Sequence, residues 1–196
     1  MAASTDEQDR SDMARLVNGH DTALNDLMSR HAERLYHYLF RMLQNEIEAS
    51  DLAQETFVRV YHNRTRFKRS LKFSTWLYAI ATNLARDVRR QAVKHPKISL
   101  EGHLDDSGQG FHEALSDEKP NPAEILDTED RAETVRRAVA SLPDELRAPL
   151  VLSIYREMSH AEIAQILECS AKAVETRLYR ARHLLRGRLE KSLALL

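Results

Sequence analysis

The sequence is poor in what a disulfide-bonded, turn-rich or membrane-spanning protein needs. It has one cysteine, Cys169. That excludes an internal disulfide and a CxxC metal site, and it fits a reducing compartment. Five glycines and five prolines leave little material for a β architecture, so a mostly helical chain is expected. No apolar run approaches the roughly 18 residues needed to span a bilayer. The polar, acidic start (Thr5, Asp6, Glu7, Asp9) has no secretory-signal character. A soluble, cytoplasmic protein is the expectation. The signatures of catalysis are missing too. Nine histidines are scattered, with no HExxH or Cys/His cluster. His31 and His37 are spaced so that they do not share a helical face. There is no Gly-rich phosphate loop and no GxSxG. These gaps assign no catalytic residue, metal, cofactor or small-molecule substrate, and the expectation is a protein that is not an enzyme.

What the chain has in quantity is charge, unevenly spread. At 196 residues it can hold one medium domain or two small ones, with 42% hydrophobic and 30% charged residues. The net charge of −1 conceals segregation. From Ser99 to Asp130 ten acids face one base, Lys119, so that stretch carries −9 and the remainder +8. From His62 to Lys94 nine bases face one acid, Asp87. Basic segments flanking an acidic connector suggest a polyanion partner. The plain alternative is solvated helix surfaces that happen to be basic.

Glycines 102, 108 and 110 and prolines 120 and 122 fall in the same stretch, which lacks helical periodicity. It reads as a flexible acidic linker, 96–130, between two helical domains. Before it, Leu24, Leu27, Met28, His31, Leu35, Tyr38, Leu39 and Met42 form one helical stripe. After a turn near Asn45, Ala49, Leu52, Ala53, Thr56, Phe57, Val60 and Tyr61 form a second. Asp51, Gln54, Glu55 and Arg59 lie on its opposite face. The most regular stripe runs from Phe73 through Trp76, Leu77, Ile80, Ala81, Leu84 and Ala85 to Val88, with Ser74 or Thr75 as N-cap. Beyond the linker, a helix from Val135 to Leu142 is stopped by Pro143, and a second carries Leu150, Val151, Ile154 and Tyr155. Ser159 and Glu162 then form a capping box for a short helix that buries Ile163, Ala164, Ile166 and Leu167. A tight break at Glu168-Cys169 follows. Ser170 caps a last helix that buries Val174, Leu178, Ala181, Leu184 and Leu185 and exposes Lys172, Arg177, Arg180, Arg182 and Arg186.

Two short helices, a tight turn and small Ala164 at the crossing describe a helix-turn-helix. Its second helix suits the major groove, where arginines pair with phosphates or fork onto guanine. Here the residues carry a family resemblance. Ser159 to Arg186 resembles region 4.2 of extracytoplasmic-function (ECF) sigma factors of the sigma-70 family, which reads the −35 promoter element. The segment Asp51-Leu52-Ala53-Gln54-Glu55-Thr56-Phe57 resembles region 2.2, which docks on the clamp of the polymerase's largest subunit. Phe73 to Asp87 resembles regions 2.3 and 2.4, which melt and read the −10 element.

The resemblance implies an all-α protein of two small helical domains. Residues 1–14 are then a disordered tail and 15–95 region 2, with 96–130 the acidic linker and 131–196 region 4. It implies polymerase docking through Asp51, Gln54, Glu55 and Phe57. Capture of the −10 strand falls to Lys68, Arg69, Lys72, Asn83, Arg86, Arg89 and Arg90. Reading of the −35 element falls to His160, Lys172, Glu175, Thr176, Arg177, Tyr179 and Arg180. The implied partners are core RNA polymerase at its clamp and flap, promoter DNA and an anti-sigma factor.

Some residues keep two readings. Trp76 is core or a stacking platform. Glu175 accepts from a cytosine amine or pairs with Lys172. Glu168 stands where relatives often have glycine, so either the turn differs or a strained position is tolerated. Arg69 likewise replaces a common glycine. The linker either resembles nucleic acid in a polymerase channel or is a solvated tether. An ordinary DNA-binding regulator accounts for the helix-turn-helix but not for the Asp51–Phe57 face or the basic helix at residues 73 to 90.

Overall fold

A computed structural model of the chain describes residues 4–94 and 122–193 and places eight α-helices and one 3₁₀ turn among them, with no strand. The first four helices are α1 (Thr5–Val17), α2 (Thr22–Leu43), α3 (Glu46–His62) and α4 (Phe73–Lys94), with the 3₁₀ turn at Arg64–Arg66 before α4. The second four are α5 (Pro122–Ala140), α6 (Asp144–Tyr155), α7 (His160–Ile166) and α8 (Ala171–Leu193). The all-α expectation holds. Most of the expected linker lies outside the described residues, and its final part, 122–130, belongs to α5.

From Thr5 on, the segment read as a disordered tail is a helix. Ser4 caps α1 in a box with Glu7, and Met13 and Leu16 are buried beneath it. Two acids are buried as well, Asp9 and Asp12. Asp9 takes Arg30 Nε at 3.0 Å and His31 Nε2 at 2.8 Å, and Asp12 takes Arg30 Nη2 at 2.5 Å. Charges buried this way are tolerated because they are paired. Burial works against the Arg30 cation, but hydrogen bonds to Asp12 and Asp9 outweigh it and raise its pKa. The partners lie on another helix, so no local periodicity announces α1.

Helices α2, α3 and α4 bury the stripes expected of them, including Leu27, Leu35 and Met42, Leu52, Phe57 and Val60, and Phe73, Leu77 and Ala81. Asn45 caps α3 by accepting the Glu48 amide at 3.0 Å. The Thr82 hydroxyl donates to the Tyr78 carbonyl at 2.6 Å, so it accepts from Tyr38 Oη at 2.7 Å. Burial pushes the phenol of Tyr78 up to about 12 and that of Tyr38 higher still. Helix α4 begins at Phe73, which puts Ser74 and Thr75 inside its first turn rather than at the cap; Thr75 is buried.

The second module packs Leu142, Leu146, Leu150, Val151, Ile163, Ile166, Val174, Leu178 and Ala181 together. Leu184 departs from expectation: it is 40% exposed, and Leu185 is half-buried. The two modules touch, α2 and α4 meeting α5, α6 and α7. Arg147 of α6 is buried to 1% exposure there and donates to the carbonyls of Met42 at 2.7 Å, Leu142 at 2.7 Å and Ala140.

Asp9→Ala strands the Arg30 and His31 side chains beside an emptied site. It is expected to cost about 2–3 kcal/mol of stability, read as a lower denaturant midpoint with an unchanged slope.

Candidate nucleic-acid interface

The basic loop between α3 and α4 is shaped by aromatic packing. Phe67 turns inward against Trp76 (5.3 Å between ring centroids) and Phe73 (6.3 Å). Trp76 is half-buried against the core, which favours the packing reading. With Phe67 anchored, Lys68 and Arg69 project outward, and both are exposed. The sequence reading missed Phe67; a lone aromatic in a run of bases was the available signal. Arg64 turns back instead, donating to the Tyr61 carbonyl at 2.8 Å and lying 4.4 Å above the Tyr61 ring.

Along α4, Asn83 and Arg90 are exposed, while Arg86 and Arg89 are half-buried. Arg90 sits 3.7 Å from Asp87. Arg89 donates to the Met42 carbonyl at 3.0 Å and pairs through Nε with Asp144 of α6 at 2.8 Å. Lys72 Nζ lies 2.9 Å from Glu162 of α7 and 3.5 Å from Asp6 of α1. A hydrogen bond to Glu162 and the charges of both acids hold the Lys72 ammonium above its ordinary pKa.

On α3, Asp51 and Gln54 are exposed and Glu55 pairs with Arg59 at 2.8 Å. Phe57 does not join them. It is 3% exposed and belongs to the core, because it falls on the buried stripe of its own helix. The exposed apolar residues on this face are Ile47 (75%) and Val58 (47%). At steps of four, three and four, Ile47, Asp51, Gln54 and Val58 line one helical face. The sequence reading missed Ile47 and Val58; bulky aliphatics on a polar face were the available signal.

In the second module, Ser159 accepts the Glu162 amide, and one Glu162 oxygen takes the Ser159 amide at 2.9 Å. The backbone then turns through Glu168 at φ 52, a left-handed position held by a non-glycine residue, so a strained position is tolerated there. Ser170 caps α8 through the Ala173 amide at 3.1 Å. This geometry presents Lys172, Glu175, Thr176, Tyr179 and Arg180 on one exposed face, with Tyr179 73% exposed and His160 exposed at the start of α7. Arg177 points elsewhere. It is half-buried, donates to Cys169 Sγ at 3.5 Å and lines a groove with Arg86, Arg89 and Arg90 of α4. Glu175 pairs with Lys172 at 2.9 Å, which with the charge of His160 holds its carboxyl below the usual range. The described residues contain no group of three or more metal-ligating side chains and no helix long and apolar enough to cross a membrane.

A capped helix-turn-helix presenting a polar, basic face, beside a helical module with a basic loop, defines a two-part nucleic-acid-reading architecture. Comparison with known proteins agrees. The sigma-70 region 2 model matches residues 27–95 and the sigma-70 region 4 model matches 132–185. The chain is 34% identical to the ECF RNA polymerase sigma factor SigW of Bacillus subtilis, over 89% of this chain and 93% of that protein. It is 28% identical to the ECF RNA polymerase sigma-E factor of Escherichia coli, over 90% and 91% of the two chains. The solved structure of CnrH in complex with the cytosolic domain of CnrY matches at TM-score 0.67 and 27% identity, covering 94% of this chain and 98% of that one. The chain belongs to the ECF group of sigma-70 RNA polymerase sigma factors. It is a transcription-initiation factor, not an enzyme.

Helix α7 has only seven residues, so its cap matters. Burial alone would raise the Glu162 carboxyl, but hydrogen bonds from Ser159 and Lys72 outweigh it and hold the group below its ordinary value. A depressed acid gives stability that is full above the ordinary carboxylate range and is lost as pH falls through the lowered value. Ser159→Ala is expected to cost about 1 kcal/mol and to flatten that loss, both read from denaturant melts across acidic pH.

Proposed function

We propose that the two modules divide promoter reading between them. Residues near 20–94 dock on the clamp of core polymerase through Asp51, Gln54 and Glu55, flanked by Ile47 and Val58. The same module captures the melted −10 strand through Lys68, Arg69, Lys72, Asn83, Arg86, Arg89 and Arg90, a basic track suited to phosphates. Residues near 132–190 dock on the polymerase flap and lay α8 in the −35 major groove. There His160, Lys172, Thr176, Tyr179 and Arg180 make the contacts, Glu175 fixes Lys172, and Arg177 joins once the groove it lines opens. The observation that carries this reading is the single exposed face of α8, presented by a capped α7 within a matched region 4. Control by an anti-sigma factor is part of the proposal. Its support is the likeness to CnrH, solved with the cytosolic domain of CnrY.

Run-off transcription with purified core polymerase, this chain and promoters from its own genome tests the whole. Discrete transcripts requiring both components are expected; tight duplex binding by the chain alone, without transcripts, overturns it. Arg180→Ala should cost roughly 1–3 kcal/mol of −35 affinity in the holoenzyme if it reads a guanine, and an unchanged affinity removes that contact. Ile47→Asp should weaken core binding about tenfold, or about 1.4 kcal/mol, with stability unchanged, measured by competition for core polymerase.

A further inference from the structure

We propose that the buried Asp9–His31 pair positions the −10 loop: His31, its ring fixed by Asp9 of α1, braces Phe73, on which the loop's Phe67 anchor rests. The inference rests on the −10 assignment of Lys68 and Arg69 made above. Helix α1 lies outside the region 2 match, which begins at residue 27. It nonetheless touches both the 3₁₀ turn at Arg64–Arg66 and the start of α4. The loop between those two elements has few fixed points of its own. Its backbone makes short turns, the Phe67 amide donating to the Arg64 carbonyl at 3.3 Å and the Leu71 amide to the Lys68 carbonyl at 2.9 Å. Such turns set local shape only. What seats the loop on the fold is the Phe67 ring, 6.3 Å from Phe73 and 5.3 Å from Trp76.

Phe73 is 1% exposed, and the His31 ring lies 5.1 Å from it, tilted by 60°. His31 sits on the apolar stripe of α2 between Leu27 and Leu35, where an aliphatic side chain would bury as well. What a histidine adds there is direction. Its Nε2 lies 2.8 Å from Asp9 Oδ2, and the other oxygen of Asp9 takes Arg30 Nε at 3.0 Å. Arg30 is tied in turn to Asp12. Burying carboxylates in this way adds little net stability over an apolar pair, and the best-attested use of such groups is to fix one geometry. The hydrogen bond sets the plane of the imidazole. The ring contact, also directional, passes that setting to Phe73. Asp6 adds a second tie from α1, 3.5 Å from Lys72 at the end of the loop. Lys68 and Arg69 thereby stand at a defined offset from a packed helix pair. Reading individual bases requires such an offset; attraction to phosphates does not.

The test uses the full-length chain assembled with core polymerase. His31→Gln keeps a donor for Asp9 and loses the ring, whereas His31→Leu keeps apolar bulk beside Phe73 and loses the bond to Asp9. Leu39→Val, two turns along the same buried stripe, perturbs the core away from the relay and is the control. Two fluorescein-labelled oligonucleotides are compared by anisotropy. One is the −10 non-template strand of a promoter defined by run-off transcription, and the other is that strand with its −10 bases replaced. Both His31 variants are expected to lose about fivefold in discrimination, the equilibrium weight of one hydrogen bond. They should bind the replaced strand and core polymerase as the parent does. Trp76 is the sole tryptophan and belongs to the same aromatic cluster, so acrylamide should quench its emission more readily in both His31 variants but not in Leu39→Val. Unchanged discrimination or unchanged quenching overturns the positioning role. An equal loss in Leu39→Val, or a loss of core binding in step with discrimination, marks a general folding defect and overturns it too. The −10 assignment fails differently: the Lys68→Ala, Arg69→Ala chain would then bind the −10 strand as the parent does, and the positioning role would fall with it.

Discussion

The last turn of α2 leaves the Met42 carbonyl without a partner inside its helix, as every helix C-terminus leaves several. Two guanidiniums from elsewhere in the chain meet it, Arg89 at 3.0 Å and Arg147 at 2.7 Å. Cations are favoured at that end of a helix dipole, yet two of them side by side repel. Burial first, and then Arg89, lowers the pKa of Arg147 to about 10, while Asp144 works in the opposite direction. Asp144 lies 2.8 Å from Arg89 and 3.9 Å from Arg147, so one carboxylate serves both. Arg147 remains charged near neutral pH and ties its own module's Ala140 and Leu142 carbonyls to the first module. The placement of α6 against α2, and with it of α7 and α8, depends on this convergence.

The cost of burying Arg147 explains why the boundary suits reversible packing. A buried cation held by carbonyls and one half-exposed carboxylate, with its Nε left unpaired, adds little net stability, because desolvation offsets most of the attraction. It does specify position, since the guanidinium held by the Ala140 and Leu142 carbonyls of its own module reaches the Met42 carbonyl only with α6 set against the end of α2. The ion pairs around it, Lys72 with Glu162 and Arg89 with Asp144, are partly exposed and individually weak. A boundary held by one buried group and several weak outer pairs is specific without being strong.

What the sequence made legible follows from range. The stripes of α2, α3 and α4 repeat every three or four residues and can be read within one helix, as can the Ser159–Glu162 and Ser170 caps. Helix α1 escaped although Ser4 and Glu7 have the same capping-box spacing, because its buried face includes Asp9 and Asp12, whose partners Arg30 and His31 lie on α2, 18 to 22 residues away. Phe57 was assigned to the docking face through motif resemblance, although its own stripe had already placed it inside. Leu184 follows the apolar spacing of α8, but the outer part of that helix runs past the core that would cover it. The contacts between modules were illegible for a simpler reason: Lys72 and Glu162 carry no pattern relating them, and nothing in either local segment marks the other.

The same charges acquire a different meaning once the fold is known. A count along the chain finds a basic stretch and treats each lysine and arginine as available. In the structure Arg64 is spent on Tyr61, Arg89 on Met42 and Asp144, Lys72 on Glu162 and Asp6, and Lys172 on Glu175. Lys68, Arg69 and Arg180 project outward. Electrostatic attraction to DNA is sequence-independent and would hold a freely basic chain on any duplex. Internal carboxylates beside Lys72, Arg89, Arg90 and Lys172 compete with phosphates for those cations and raise the threshold for such binding. How available each base is therefore depends on the acids beside it as much as on its own place in the sequence.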